Sequence, residues 1–111
     1  MDILIKNGVV VSPAGCTVAD VRIKNGLIEA VSPALEPSGE RVIDAAGMLL
    51  FRGFIDSHTH FDMDAGTYHT ADDFESGTAA AVLGGTTTVL DFATQDKAGT
   101  LLDALDTWQA K

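Results

Sequence analysis

Two Asn-Gly dipeptides, Asn7-Gly8 and Asn25-Gly26, constrain the first half of this chain more than any other feature. Each lies between short apolar, β-branched runs, and both central residues of a tight hairpin turn need positive φ, which Asn and Gly tolerate. The dipeptides therefore predict two hairpins, one joining residues 3–6 to 9–11 and the other joining 21–24 to 27–31. The echo of Ile5-Lys6-Asn7-Gly8 in Ile23-Lys24-Asn25-Gly26 reads as two similar turns, since two copies do not make a solenoid. Pro33, Pro37 and Gly39 then break the chain before two further short strands, 41–44 and 48–51. Residues 1–51 read as β-structure throughout.

At Gly53 the pattern changes. An apolar run ending in two histidines predicts a strand, and 62–69 reads as a polar loop. Residues 72–83 carry alanines, Phe74, Val82 and Leu83 in a pattern suited to a helix packed on a sheet, with Thr70 or Asp72 as its cap and Gly84-Gly85 as its stop. Residues 86–93 are β-branched and apolar, hence a buried strand, and 100–109 place Leu101, Leu102, Leu105 and Trp108 at helical spacing. The order β, α, β, α is the building unit of a parallel barrel, whose active-site groups come from the C-terminal ends of the strands.

His58 and His60 stand at such an end, in Gly53-Phe54-Ile55-Asp56-Ser57-His58-Thr59-His60. Side chains alternate along a strand, so Asp56, His58 and His60 should share one face. Neutral imidazole is a common zinc ligand, and neighbouring same-face positions can reach one ion. A His-X-His triplet also arises by chance. An acid and two imidazoles on one face of a buried strand, however, would be costly without partners, and a metal supplies one. Asp91, at the end of the next strand, could face the same space, but a strand-end acid more often hydrogen-bonds a neighbouring loop. His69 reads as a loop histidine. Gly84 to Thr88 lacks the spacing of a phosphate-binding loop and precedes a strand, so no nucleotide site is expected.

The histidine run with Phe61-Asp62-Met63, then Thr70-Ala71-Asp72-Asp73-Phe74-Glu75-Ser76-Gly77-Thr78, then Gly84-Gly85-Thr86-Thr87-Thr88-Val89-Leu90-Asp91-Phe92, resembles the amidohydrolase superfamily and, within it, the dihydropyrimidinase and hydantoinase branch. Dihydroorotases are similar in outline but carry an arginine where this chain has Asp62. Collapsin-response mediator proteins commonly replace the second histidine, which is present here as His60. Arg52 departs from the proline usual before the glycine, without touching the ligands.

The resemblance implies an α/β fold: the start of a (β/α)8 TIM-type barrel, residues 52–111, preceded by part of a small β-sandwich domain, residues 1–51. Such a barrel needs about 250 residues, against 111 here, so the fold is incomplete as given and the chain is expected to be the N-terminal portion of a longer hydrolase. That hydrolase would act on C–N bonds of cyclic amides or ureides, with a metal-activated hydroxide attacking the ring carbonyl. Its cofactor would be a divalent metal, zinc by expectation and binuclear in the complete enzyme. His58 and His60 would bind the more buried ion, while a carboxylated lysine, two histidines and an aspartate would come from later strands. No catalytic residue is assigned within these 111 residues. Asp56 is expected to support the ligands by hydrogen bonding, and Met63 and Tyr68 to belong to a substrate-gating loop. Relatives are commonly tetramers, so a homo-oligomer is expected. The competing reading is a non-catalytic remnant or an oligomerising β-module that pairs through exposed sheet edges.

Acids outnumber bases, 16 to 7, for a formal charge of −9, which disfavours nucleic acid and anionic lipid as partners. Cys16, the one cysteine, has no internal disulfide partner and falls in what reads as a polar turn. No basic-then-apolar leader opens the chain, and no apolar run approaches the ~20 residues needed to cross a bilayer. No membrane association and a cytoplasmic location are therefore expected.

Overall fold

The computed structural model describes residues 1–111, which fold as two compact units, Met1–Arg52 and Gly53–Lys111. The first unit is a single sheet of β1 (Ile3–Ser12), β2 (Gly15–Lys24), β3 (Leu27–Ser32), β4 (Arg41–Asp44) and β5 (Leu49–Leu50). Its order is β3-β2-β1-β4, with β5 also on β1; β2 runs antiparallel to β1 and β3, whereas β4 and β5 run parallel to β1. Leu4, Ala19, Val21 and Ala45 form its buried centre.

Only one of the two Asn-Gly pairs makes a turn. Asn25 and Gly26, at φ 51° and 78°, join β2 to β3 as expected. Asn7, at φ 63°, instead lies inside β1, where the register with β2 shifts between Ile5 and Gly8: the positive φ is used in a bulge. The hairpin turn is Pro13-Ala14, and Cys16 consequently lies within β2, exposed, opposite Val11.

Long-range polar contacts explain the bulge. Asp20 of β2, only 3% exposed, accepts the Asn7 N–H at 2.8 Å and the Leu35 N–H at 2.9 Å, with Lys6 Nζ 3.2 Å away. On the other edge the Asn7 side-chain amide donates to Asp44 at 2.9 Å. There the Ala45 N–H donates to the Lys6 carbonyl and the Val9 N–H to the Met48 carbonyl, so the tight turn between β4 and β5 matches the bulge. The bulge in β1 thus keeps partners for the Asn7 N–H and the Lys6 carbonyl, groups that the irregular ladder would otherwise leave unpaired.

These carboxylates also set the acid response. The Asn7 N–H, then that of Leu35 and the Lys6 ammonium, hold Asp20 below its ordinary 3.8, while the Asn7 amide and the Ala46 N–H do the same for Asp44. Glu40 is lowered from 4.5 to about 2 by its own backbone N–H, by the Ser38 hydroxyl and N–H, and by Arg22. Folded values below unfolded ones mean stabilisation that is complete above the unfolded pKa and lost as pH falls through the folded one. Urea midpoints should therefore hold steady down to about pH 5 and decline from about pH 4.5 toward pH 2. A midpoint that rises over that interval would contradict the assignment.

The second unit contains β6 (Phe54–Thr59), α1 (Phe74–Leu83), β7 (Thr86–Asp91) and α2 (Leu101–Gln109), with β6 and β7 parallel. The cap of α1 is Asp73, not Thr70 or Asp72. Its carboxylate accepts the Ser76 N–H at 2.7 Å while its own N–H donates to the Ser76 hydroxyl, a reciprocal capping box. The two expected caps are otherwise engaged: Thr70 Oγ1 accepts the Met63 N–H, and the Asp72 carbonyl accepts the Asp62 N–H. Gly84 and Gly85, the latter at φ 90°, end the helix. Thr100 caps α2 in the same reciprocal manner with Asp103. No helix is long and apolar enough to cross a membrane.

Candidate metal site

The β6–β7 ladder places both histidines at the C-terminal end of β6, but not by simple alternation. Asp56 pairs with Val89 and Thr59 with Asp91, so three steps on β6 match two on β7 and a bulge falls at Ser57-His58. Bulges re-aim side chains, and they are frequent at barrel rims beside active sites. The backbone N–H of His58 is satisfied by the Asp56 carboxylate at 3.1 Å. Asp56 therefore supports the turn of the chain at His58, and this hydrogen bond goes to the main chain rather than to an imidazole.

The two rings converge. His58 Nε2 and His60 Nε2 are 3.1 Å apart, with ring centroids at 5.0 Å and an interplanar angle of 62°. Two lone pairs at that separation repel unless a proton or a cation lies between them. At the Zn–N distance of roughly 2.0–2.1 Å, two corners of a tetrahedral site are about 3.3–3.4 Å apart. The observed separation lies within a few tenths of an ångström of that edge, so the donor atoms fit two corners of a metal site. In the metal-binding tautomer each proton sits on Nδ1. For His60 that atom is buried and has no hydrogen-bond partner. No cluster of three or more His, Cys, Asp or Glu side chains is arranged to hold an ion, so the two imidazoles by themselves are not a full ligand set.

Two residues of β7 and its end hold the pair in place. The Phe92 ring stacks on His58 at 4.4 Å and 27°, and lies 6.1 Å from His60. Asp91 Oδ1 accepts from the Thr59 hydroxyl and from the Phe61 N–H, both at 2.9 Å, and Oδ2 accepts from the Trp108 indole. The reading of Asp91 as a loop-bonding acid matches these contacts. Phe92 was invisible as a site residue from sequence, since a phenylalanine closing an apolar strand carries no chemical signal of its own.

The segment carrying Met63 and Tyr68 is a closed hairpin. Besides the contact of Met63 with Thr70, the Ala65 N–H donates to the Tyr68 carbonyl at 2.9 Å, and Asp64 bridges to His69. Tyr68 is exposed near the tip, and Met63 is half-buried at the base. His69 Nε2 lies 3.7 Å from the Asp64 carboxylate, both exposed to solvent, which makes it a loop residue. Phe61 anchors the segment through an edge-to-face contact with Phe74 at 5.7 Å.

The sequence pattern of the amidohydrolase family matches residues 49–109. A D-hydantoinase of Geobacillus stearothermophilus is 48% identical over 108 residues, which cover 97% of this chain and 23% of that protein. A dihydropyrimidinase of Dictyostelium discoideum is 44% identical over 108 residues, covering 96% of this chain and 22% of that protein. The crystal structure of a dihydropyrimidinase from Brevibacillus agri superposes with a TM-score of 0.92 at 41% identity, covering 99% of this chain and 24% of that one. The similarity thus runs along essentially the whole chain, while the chain spans less than a quarter of the length of these relatives.

Proposed function

Since the chain belongs to the amidohydrolase family, we propose that it forms the N-terminal portion of a metal-dependent hydrolase that opens cyclic amides or ureides of the dihydropyrimidine or hydantoin type. In this reading residues 1–51 contribute to a small β-sandwich and residues 52–111 begin a (β/α)8 barrel. His58 and His60 are ligands of a divalent metal, zinc in a two-metal centre, within a cytoplasmic homo-oligomer. A bound divalent ion polarises a carbonyl and lowers the pKa of water, the two requirements for attack on an unreactive ring amide. The chain's own residues set the geometry: β6 delivers both imidazoles, Asp56 holds the main chain at His58, and the hairpin of Met63 and Tyr68 is the substrate-gating segment.

The observation that carries the proposal is the 3.1 Å approach of the two Nε2 atoms, supported by the similarity to hydantoinases and dihydropyrimidinases over almost the entire chain. The test is ring opening of dihydrouracil and hydantoin by the native polypeptide that contains this sequence. Activity should be lost on dialysis against a chelator and restored by zinc. Ring opening that survives complete metal removal would overturn it.

The alternative of a β-module without activity draws on a different observation. The chain holds only two of the ligands such a centre needs, and Leu27, Ile28 and Val31 on the edge strand β3 are 73%, 63% and 55% exposed. An exposed apolar edge strand is a pairing surface. A native polypeptide of 11.6 kDa that self-associates and lacks hydrolase activity would favour it.

A further inference from the structure

We propose that Asp91 is the positioning residue of the His58–His60 pair, acting on the main chain either side of His60; the inference rests on the metal-site reading above. Oδ1 of Asp91 takes two hydrogen bonds, one from the Thr59 hydroxyl and one from the Phe61 N–H, the residues immediately before and after His60. A third contact closes the frame: the Phe92 N–H donates to the Thr59 carbonyl at 3.1 Å. His60 is thus suspended between two anchors that share one acceptor atom, while Phe92, the residue just past the end of β7, stacks on the ring of His58. One dipeptide at the end of β7 contacts both histidines or their neighbours.

The need for this arrangement follows from the bulge. At Ser57-His58 the ladder between β6 and β7 is interrupted, so regular strand pairing no longer fixes where the chain directs the two rings. Asp91 replaces the missing pairing with two hydrogen bonds of 2.9 Å to a single carboxylate oxygen. Its other oxygen is tied to the Trp108 indole of α2, and Lys111 sits over that indole at 3.9 Å while donating to the Asp62 carbonyl. The carboxylate is therefore braced from the helix side and does not swing with the loop that it holds.

Zinc titration of the metal-free native polypeptide that contains this sequence, read by the imidazole ¹⁵N shifts of His58 and His60, tests the proposal. Partners that orient metal ligands typically matter by about 10–100-fold in affinity, and Asp91→Ala is expected to weaken zinc binding by that amount. Asp91→Asn keeps an oxygen toward Thr59 and Phe61 but turns its amide N–H toward the Trp108 indole N–H, so it should recover only part of the loss, a partial rescue that follows the Oδ1 contacts. Thr59→Val removes one anchor and leaves the carboxylate; it should cost about fivefold, the worth of one hydrogen bond, and it decides the matter if Asp91→Ala does not fold. Folded Asp91→Ala or Thr59→Val variants that shift His58 and His60 at wild-type zinc concentrations would overturn the role of Asp91 while leaving the metal site standing. Wild-type polypeptide whose imidazole shifts do not respond to zinc would overturn the metal site, and the positioning role with it.

Discussion

His58→Ala or His60→Ala is expected to reduce the proposed cyclic-amide hydrolysis by about a thousandfold or more, since a catalytic metal would contribute several kcal/mol of transition-state stabilisation. The two Nε2 atoms approach to 3.1 Å, so each variant removes one of two adjacent corners, and the remaining imidazole cannot span the gap. Both variants should lose bound metal in step with activity when metal content is measured by elemental analysis. His69→Ala is the control. Its ring lies 3.7 Å from the Asp64 carboxylate in an exposed hairpin, and activity should stay within about twofold of wild type, the usual scale of an exposed substitution. Full activity and full metal content in both His58→Ala and His60→Ala would remove the pair from the metal site.

The histidines were legible because their chemistry is carried by residue type. Alternation along a strand predicted that both would point one way, and the rings do converge, although through a bulge that alternation does not foresee. The Asn-Gly pairs show the opposite limit. Local sequence correctly demanded positive φ at Asn7 and Asn25, yet one became a bulge and the other a turn. The difference lies 13 residues away, in the Asp20 carboxylate that takes the Asn7 N–H, and 37 residues away in Asp44. Neither partner is visible in a window around the dipeptide. The cap of α1 falls at Asp73 and not at Thr70 or Asp72: the Thr70 hydroxyl is bonded to the Met63 N–H of the preceding hairpin, and the Asp72 carboxylate accepts only the Ser76 hydroxyl while Asp73 takes the Ser76 N–H. The parallel pairing of β6 and β7 follows from the β, α, β order, but the contacts of Asp91 and Phe92 depend on its bulged register, which sequence order does not specify.

Gly77→Ala should destabilise the chain, although helix propensity alone argues the reverse. Within a helix, alanine is favoured over glycine by roughly 1 kcal/mol, and Gly77 lies inside α1. A Cβ there would come within 2.3 Å of Phe61 Cε1 and 2.5 Å of Cδ1, closer than packed carbon atoms allow. The ring has little freedom to yield, because its edge rests on Phe74 and its backbone N–H is held by Asp91. Overpacking of this kind costs about 1–3 kcal/mol, and set against the propensity gain of roughly 1 kcal/mol it leaves a net loss of up to about 2 kcal/mol. Gly84→Ala provides the contrast, since its Cβ would meet only the Ala81 carbonyl oxygen at 3.4 Å and the Ala80 carbonyl oxygen at 3.7 Å. Urea unfolding of the two variants should therefore separate them. Combining Gly77→Ala with Phe61→Leu should return part of the loss, because residues in direct contact are not additive. A stabilised Gly77→Ala would mean that the Phe61 ring turns aside freely, and its anchoring of the segment that follows His60 would have to be given up.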